Sequence, residues 1–218
     1  MSEQLRRITD EDIEEALSAH SARDGTVLGV LLAAGGSSRF GERNKLLAEI
    51  DGEPLVRRAA HTLLDSRVSR VIAVLGHQPN AVRDALADLD VAFVENDSYE
   101  RGLSTSVERG ARVAAGNGAD AAVFLPGDMP LVDSATVDSL VDVFHADVAD
   151  AVAPVFENQR GNPVLFGRTH FDALRAVSGD VGGRRILLDS DGALLETDDV
   201  GVLTDIDTRE DLERARRE

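Results

Sequence analysis

The chain has 218 residues, with 40 Asp and Glu against 23 Lys and Arg, for a formal net charge of −17. That length suits one α/β domain, and a 43% hydrophobic share is too large for a disordered acidic tail. The absence of cysteine excludes disulfides, thiolate metal sites and a cysteine nucleophile, and so acidic a surface disfavours nucleic acid as a partner.

No apolar run approaches the ~18–20 residues needed to span a membrane, and the first residues lack a signal-peptide pattern. The expectation is a soluble, cytoplasmic protein with no membrane partner. Of the 23 cations only Lys45 is lysine, the rest being arginine. Short, strongly hydrated carboxylates with almost no lysine point to a halophilic protein, in which salt screens surface repulsion. GC-biased codon use is the plainer alternative. Under the halophilic reading, molar KCl raises the melting temperature; equal stability in dilute buffer removes it.

Residues 1–25 read as an acidic N-terminal helical extension, in which Thr9 caps a helix with acids in its first turn. The domain proper, residues 26–218, opens with a continuous apolar run from Thr26 to Ala33, the pattern of a strand buried on both faces. Further strands are predicted at Val71 to Leu75, Val91 to Val94, Ala121 to Leu125 and Ala151 to Val155. Helices are predicted at Pro54 to Leu64, Pro79 to Leu89, Ser104 to Ala115 and Ser134 to Ala146. The tail is less regular, with a strand within Asn162 to Phe166, a helix at Phe171 to Ala176 and a last helix near Thr208 to Arg217. This alternation predicts a three-layer α/β/α fold around a mostly parallel twisted sheet. In such sheets ligands bind beyond the carboxyl ends of the strands.

The first strand runs into Leu32-Ala33-Ala34-Gly35-Gly36-Ser37-Ser38-Arg39-Phe40-Gly41, with Asn44-Lys45-Leu46 close behind. Adjacent glycines let backbone N–H groups converge on a polyphosphate, and Arg39 and Lys45 add positive charge. The spacing is neither a Walker A loop nor a dinucleotide fingerprint. An ordinary glycine-rich turn with solvated cations is the alternative. The placing of the only lysine here favours phosphate binding, because a compact ammonium suits phosphate oxygens.

This loop resembles the signature of the MobA-like nucleotidyltransferases, and among them the molybdenum cofactor cytidylyltransferases. The resemblance continues through Asn96, Gly102 and Ser106, then Gly127-Asp128-Met129-Pro130, Gly161-Asn162-Pro163, Gly179-Asp180-Val181-Gly182-Gly183-Arg184 and Asp205-Ile206-Asp207-Thr208, and spans roughly residues 26–212. It implies a Rossmann-like, nucleotide-diphospho-sugar transferase-like fold. It also implies transfer of CMP from CTP to a phosphorylated acceptor, molybdopterin or the molybdenum cofactor, with release of pyrophosphate. Other phosphorylated acceptors (a methylerythritol phosphate, a phospholactate or a sugar phosphate) and a non-catalytic nucleotide-binding accessory role stay open. So does a homodimer or a molybdoenzyme partner.

The resemblance assigns roles residue by residue. Arg39, Lys45 and Asp128 are the catalytic candidates. Leu32, Ala33, Ala34, Gly35, Gly36, Ser37, Asn96 and Ser106 are the nucleotide-binding candidates. Asn162, Asp180 and Arg184 are the acceptor-binding candidates, with Asn162 standing where the family usually has histidine. Asp128 and Asp207 are the candidate ligands of Mg²⁺, the implied cofactor, which takes hard oxygen donors. Each has an alternative: Asp128 as a turn or helix cap, Asp207 as part of the start of the last helix. Relatives that use GTP carry glycine where Ala34 stands, and those that use CTP carry alanine. Asp198 and Asp199 read as solvated surface.

Overall fold

The computed structural model describes residues 5–19, 23–36, 40, 44–176 and 182–217. In chain order the elements are β1 (Arg6–Ile8), α1 (Asp10–Ala19), β2 (Val27–Ala33), β3 (Glu49–Ile50), β4 (Glu53–Pro54), α2 (Leu55–Leu64), β5 (Arg70–Leu75), α3 (Pro79–Ala85), β6 (Val91–Glu95), α4 (Leu103–Gly116), β7 (Ala121–Pro126), α5 (Ser134–His145), β8 (Ala151–Phe156), β9 (Gln159–Arg160), β10 (Val164–Gly167), α6 (Phe171–Ala176), α7 (Gly182–Asp189), β11 (Ala193–Glu196) and α8 (Arg209–Ala215). Short 3-10 turns at Lys45–Leu47, Tyr99–Arg101, Arg168–His170 and Val200–Leu203 complete the framework.

The main sheet runs β1-β11-β8-β10-β7-β2-β5-β6, with β9 paired to β8 outside this path. It is parallel except at β10, which runs antiparallel to both β7 and β8, and at the β8–β9 hairpin. β3 and β4 form a separate small hairpin. Helices cover both faces, giving the expected α/β/α layering.

The apolar run of β2 divides between these faces. Val27, Leu31 and Ala33 join a core with Val56, Ala60 and Leu63 of α2 and Leu140 and Phe144 of α5. Leu28, Val30 and Leu32 join a second core with Val107, Ala111 and Ala114 of α4 and Leu174 of α6. Alternate side chains of a strand face opposite ways, so a strand between two helical layers must be apolar at nearly every position. A third, smaller core packs Leu212 and Ala215 of α8 against Phe40, Ile50, Leu55 and Ile206.

Three features depart from expectation. α3 stops at Ala85 instead of Leu89. Arg57 donates to the Ala85 carbonyl at 3.1 Å and grips the Asp88 carboxylate with both terminal nitrogens, holding the chain in a turn there. Next, α7 and β11 occupy a stretch where no elements were expected. The extension, finally, is not only helical: β1 adds an edge strand to the main sheet, in parallel with β11. Ile8 and Ile13 bury into the same core as α5, so residues 6–19 pack on the domain itself.

Candidate active site

A cavity of about 1100 Å³ opens at the carboxyl end of β2 and β7, and Lys45, Asp128, Gly35, Gly36 and Ser106 are among its lining residues. Its floor is built by backbone pairing. The Gly127 N–H donates to the Leu32 carbonyl at 3.0 Å, which sets the chain leaving β7 against the loop leaving β2. The Ile206 N–H donates to the Asp128 carbonyl at 2.9 Å, which brings the segment before α8 alongside. These two bonds place Asp128 and Asp207 together although 79 positions separate them (207 − 128).

Between the two carboxylates sits Lys45. Its Nζ lies 2.6 Å from Asp128 Oδ2 and 2.5 Å from Asp207 Oδ1. The lysine side chain is 12% exposed. It is held in place from Asn44, whose side chain accepts from the Leu46 N–H at 3.1 Å and donates to the His77 carbonyl at 3.2 Å. Burial acts to lower the Lys45 pKa, but the charge of Asp128, its hydrogen bond and then Asp207 outweigh this, and the ammonium lies above its ordinary value. Asp205 also borders the cavity; burial, then repulsion from Asp207, lifts its carboxyl above the usual range.

The structure removes the helix-cap alternative for both acids, while Asp128 stands in a turn closed by the Met129 N–H on the Pro126 carbonyl. The N-cap of α5 is Asp133, which accepts from the Ala135 N–H, so Asp128 caps nothing there. The N-cap of α8 is Thr208, locked in a reciprocal box with Asp211. Asp207 is thereby released from capping and turns to Lys45. Two carboxylate oxygens that converge on one Nζ also converge on the space a small cation takes. Mg²⁺ is bound with one or two carboxylates, phosphate oxygens and water, so this donor pair fits it.

Of the nucleotide candidates, Leu32, Ala34, Gly35, Gly36 and Ser106 line the cavity. Ala33 does not: it is fully buried in the α2/α5 core. Asn96 is buried behind the wall, where its amide donates to Ser106 Oγ at 3.0 Å and Thr105 Oγ1 at 2.9 Å. It acts on the cavity by holding Ser106. Ala34 is 1% exposed, and a Cβ added to Gly76 would come within 2.8 Å of its methyl. The wall is therefore tight at Ala34. Among the acceptor candidates Asn162 lines the cavity, whereas Arg184 is exposed on α7 instead of in a loop. Ser37, Arg39 and Asp180 lie outside the described residues.

Several lining residues carried no motif: Tyr99, Gln159, Arg160, Val202 and Leu203. Arg160 had the one available signal, standing directly before Gly161-Asn162-Pro163. Asp199 is also more than solvated surface. Its carboxylate accepts from the Gly201 and Asp133 N–H groups and from Thr136 Oγ1, tying the 3-10 turn Val200–Leu203 to the start of α5.

The family model of the MobA-like NTP transferase domain matches residues 29–194. The purine catabolism protein PucB of Bacillus subtilis is 32% identical over 89% of this chain and 98% of its own length. A probable molybdenum cofactor guanylyltransferase of Natronomonas pharaonis is 28% identical over 88% of this chain and 98% of its own. Among solved structures, a nucleotidyl transferase from Methanothermobacter superposes with a TM-score of 0.75 at 25% identity, over 89% of this chain and 97% of that one. Rv0371c of Mycobacterium tuberculosis in complex with manganese superposes at 0.69 and 26% identity, over 88% and 98%. The fold, the cavity at the strand ends and these likenesses agree: the chain belongs to the MobA-like NTP transferase family of nucleotidyltransferases.

Proposed function

We propose that the protein transfers CMP from CTP to a phosphorylated acceptor, molybdopterin or the molybdenum cofactor, releasing pyrophosphate. The observation that carries the transferase chemistry is the convergence of Asp128 and Asp207 on Lys45 beside Gly35 and Gly36. An acceptor phosphate oxygen forms the new bond to the α-phosphorus of the nucleotide. The bond from that phosphorus to the β-bridging oxygen breaks, and pyrophosphate leaves with the electron pair. The attacking phosphate is already ionised near neutral pH, so positioning and charge neutralisation do the work.

The N–H groups of Gly35 and Gly36 bind nucleotide phosphate oxygens. Lys45, with Arg39 by sequence position, offsets the charge that builds on the leaving group. Asp128 and Asp207 would hold Mg²⁺, which supplies further neutralisation of phosphate charge. A related protein solved with manganese supports a divalent cation in this family. Lys45→Ala is expected to lower kcat by ~10²–10³, the scale of one transition-state donor; near-normal turnover in a steady-state assay removes Lys45 from this role.

The choice of CTP rests on Ala34. Its methyl packs in the cavity wall against Gly76, and on this reading an alanine where GTP-using relatives carry glycine fixes the wall against a purine. Ala34→Gly is expected to cut the preference for CTP over GTP by roughly tenfold or more, as a methyl-sized change in a pocket does. Pyrophosphate release measured with each nucleoside triphosphate, with and without each candidate acceptor, tests the whole reading. Release from CTP only when molybdopterin is present supports it. Release that needs a sugar phosphate or a methylerythritol phosphate reassigns the acceptor, and no release with any pair leaves a binding protein.

A further inference from the structure

A second cation faces the cavity from the side away from the nucleotide loop. Arg160 lies on β9, which returns along β8 with Phe156 opposite Gln159 and Val155 opposite Arg160. The two turn residues, Glu157 and Asn158, have φ of 45° and 68°, the positive values a tight two-residue hairpin needs. Past Arg160 the chain is clamped on both sides. The Gly161 N–H donates to the Pro154 carbonyl at 2.8 Å and the Asn162 N–H to the Val202 carbonyl at 3.0 Å. A Cβ at Gly161 would meet that Val202 oxygen at 2.4 Å. Arg160 is thus presented from a rigid hairpin into the cavity that Lys45 and Asp128 also line.

Arg160 is half-buried. Among the described residues no carboxylate compensates its charge, and its one hydrogen bond goes to the Gly161 carbonyl at 3.3 Å. This occurs in a chain with 40 carboxylates, where Arg57 and Arg67 each hold an aspartate with two nitrogens. Burial, and then the charge of Arg184 on α7, hold the Arg160 guanidinium below the usual arginine range. A half-buried cation beside a second cation is costly to keep unless an anion joins it.

Position says which anion. In the sheet, β10 and β7 stand between β8 and β2. β9 pairs β8 on the edge opposite β11, the edge that β10 also uses, so two strand spacings, about 10 Å, separate the Arg160 strand from the glycine loop. Asp128 and Lys45 sit between them, at the end of β7. A triphosphate held by the glycine loop approaches Lys45 from the β2 side, so the β8 side is left for the other substrate.

We infer that Arg160, backed by Arg184, docks the phosphate of the acceptor and is the residue that selects a phosphomonoester as acceptor. The inference rests on the nucleotidyl-transfer reading. A guanidinium suits this task because its planar fork meets two phosphate oxygens at once.

Calorimetric titration of the full chain with inorganic phosphate, and separately with CTP and Mg²⁺, tests it in wild type, Arg160→Ala and Arg160→Lys. Phosphate affinity is expected to fall about tenfold or more in Arg160→Ala, the scale of a charged hydrogen bond, and less in Arg160→Lys. CTP affinity is expected to stay within about twofold of wild type, a change worth less than ~0.5 kcal/mol. Unchanged phosphate affinity in Arg160→Ala, absent phosphate binding in wild type, or an equal loss of CTP affinity would each overturn the inference. If Arg160→Ala does not fold, Arg160→Lys and Arg160→Gln decide by the same comparison. Wild type that binds phosphate through Arg160 yet no nucleotide defeats the nucleotidyl-transfer reading, and leaves the anion site standing.

Discussion

Asp128→Asn is expected to lower turnover by about 10³-fold or more, beyond the loss of a single transition-state donor, and to do so without unfolding the protein. Asparagine keeps the shape of the side chain and removes its charge. Lys45 then retains Asp207 at 2.5 Å as counter-ion, so no buried cation is stranded. What is lost is the pair of anionic oxygens converging on one point, since only Asp207 remains. Pyrophosphate release measured against Mg²⁺ concentration reads the effect, with the melting temperature as control. Activity that keeps its metal dependence in Asp128→Asn takes Asp128 out of the site. A large fall in melting temperature makes Asp128 a structural partner of Lys45 instead.

Gly201→Ala is expected to destabilise the fold by about 3 kcal/mol, the upper end of ordinary overpacking. A Cβ at Gly201 would stand 2.0 Å from the Leu131 carbonyl oxygen and 2.4 Å from its carbon. These are backbone atoms, which cannot rotate aside as a side chain does. The 3-10 turn cannot back away either. Asp199 binds it to Asp133 and Thr136 at 2.9 and 2.8 Å, and the Val202 carbonyl holds the Asn162 N–H. At ~2–4 °C per kcal/mol for a chain of this size, thermal melting should fall by roughly 6–12 °C. Because Val202 and Asn162 line the cavity, the KM for the acceptor should rise more than that for the nucleotide. An unaltered melting curve would show that the turn accommodates a methyl.

The sequence alone determined the frame. A run such as Val27–Ala33, apolar at almost every position, has one stable setting, between two helical layers, because a strand with a solvated face alternates. The strand–helix alternation then forces a largely parallel sheet, and chemistry at its carboxyl edge follows. That is why Lys45, Asp128 and the Gly35-Gly36 turn were legible as a group. Short elements were not. Arg6–Ile8 and Ala193–Glu196 are too brief to show a period, and α7 opens on two glycines, which signal a loop. The two strands exist because the sheet supplies their partners, and α7 because it packs on α4 and α6.

Only the tertiary structure decided which acids do which task. The resemblance picks Asp128 and Asp207 out of 40 acidic residues but leaves each a capping alternative, and Asp199 reads as solvated surface. Thr208 and Asp133 take the two capping duties, Asp199 takes the backbone N–H groups of a turn, and Asp128 and Asp207 are left to meet at Lys45. Helix-start patterns are local and can be read along the chain. The meeting of two carboxylates 79 positions apart (207 − 128) depends on the Ile206–Asp128 backbone bond, which no local pattern encodes. The same reason hides Arg160 within an arginine-rich sequence. What sets Arg160 apart is that it is half-buried and lines the cavity, and neither can be read along the chain.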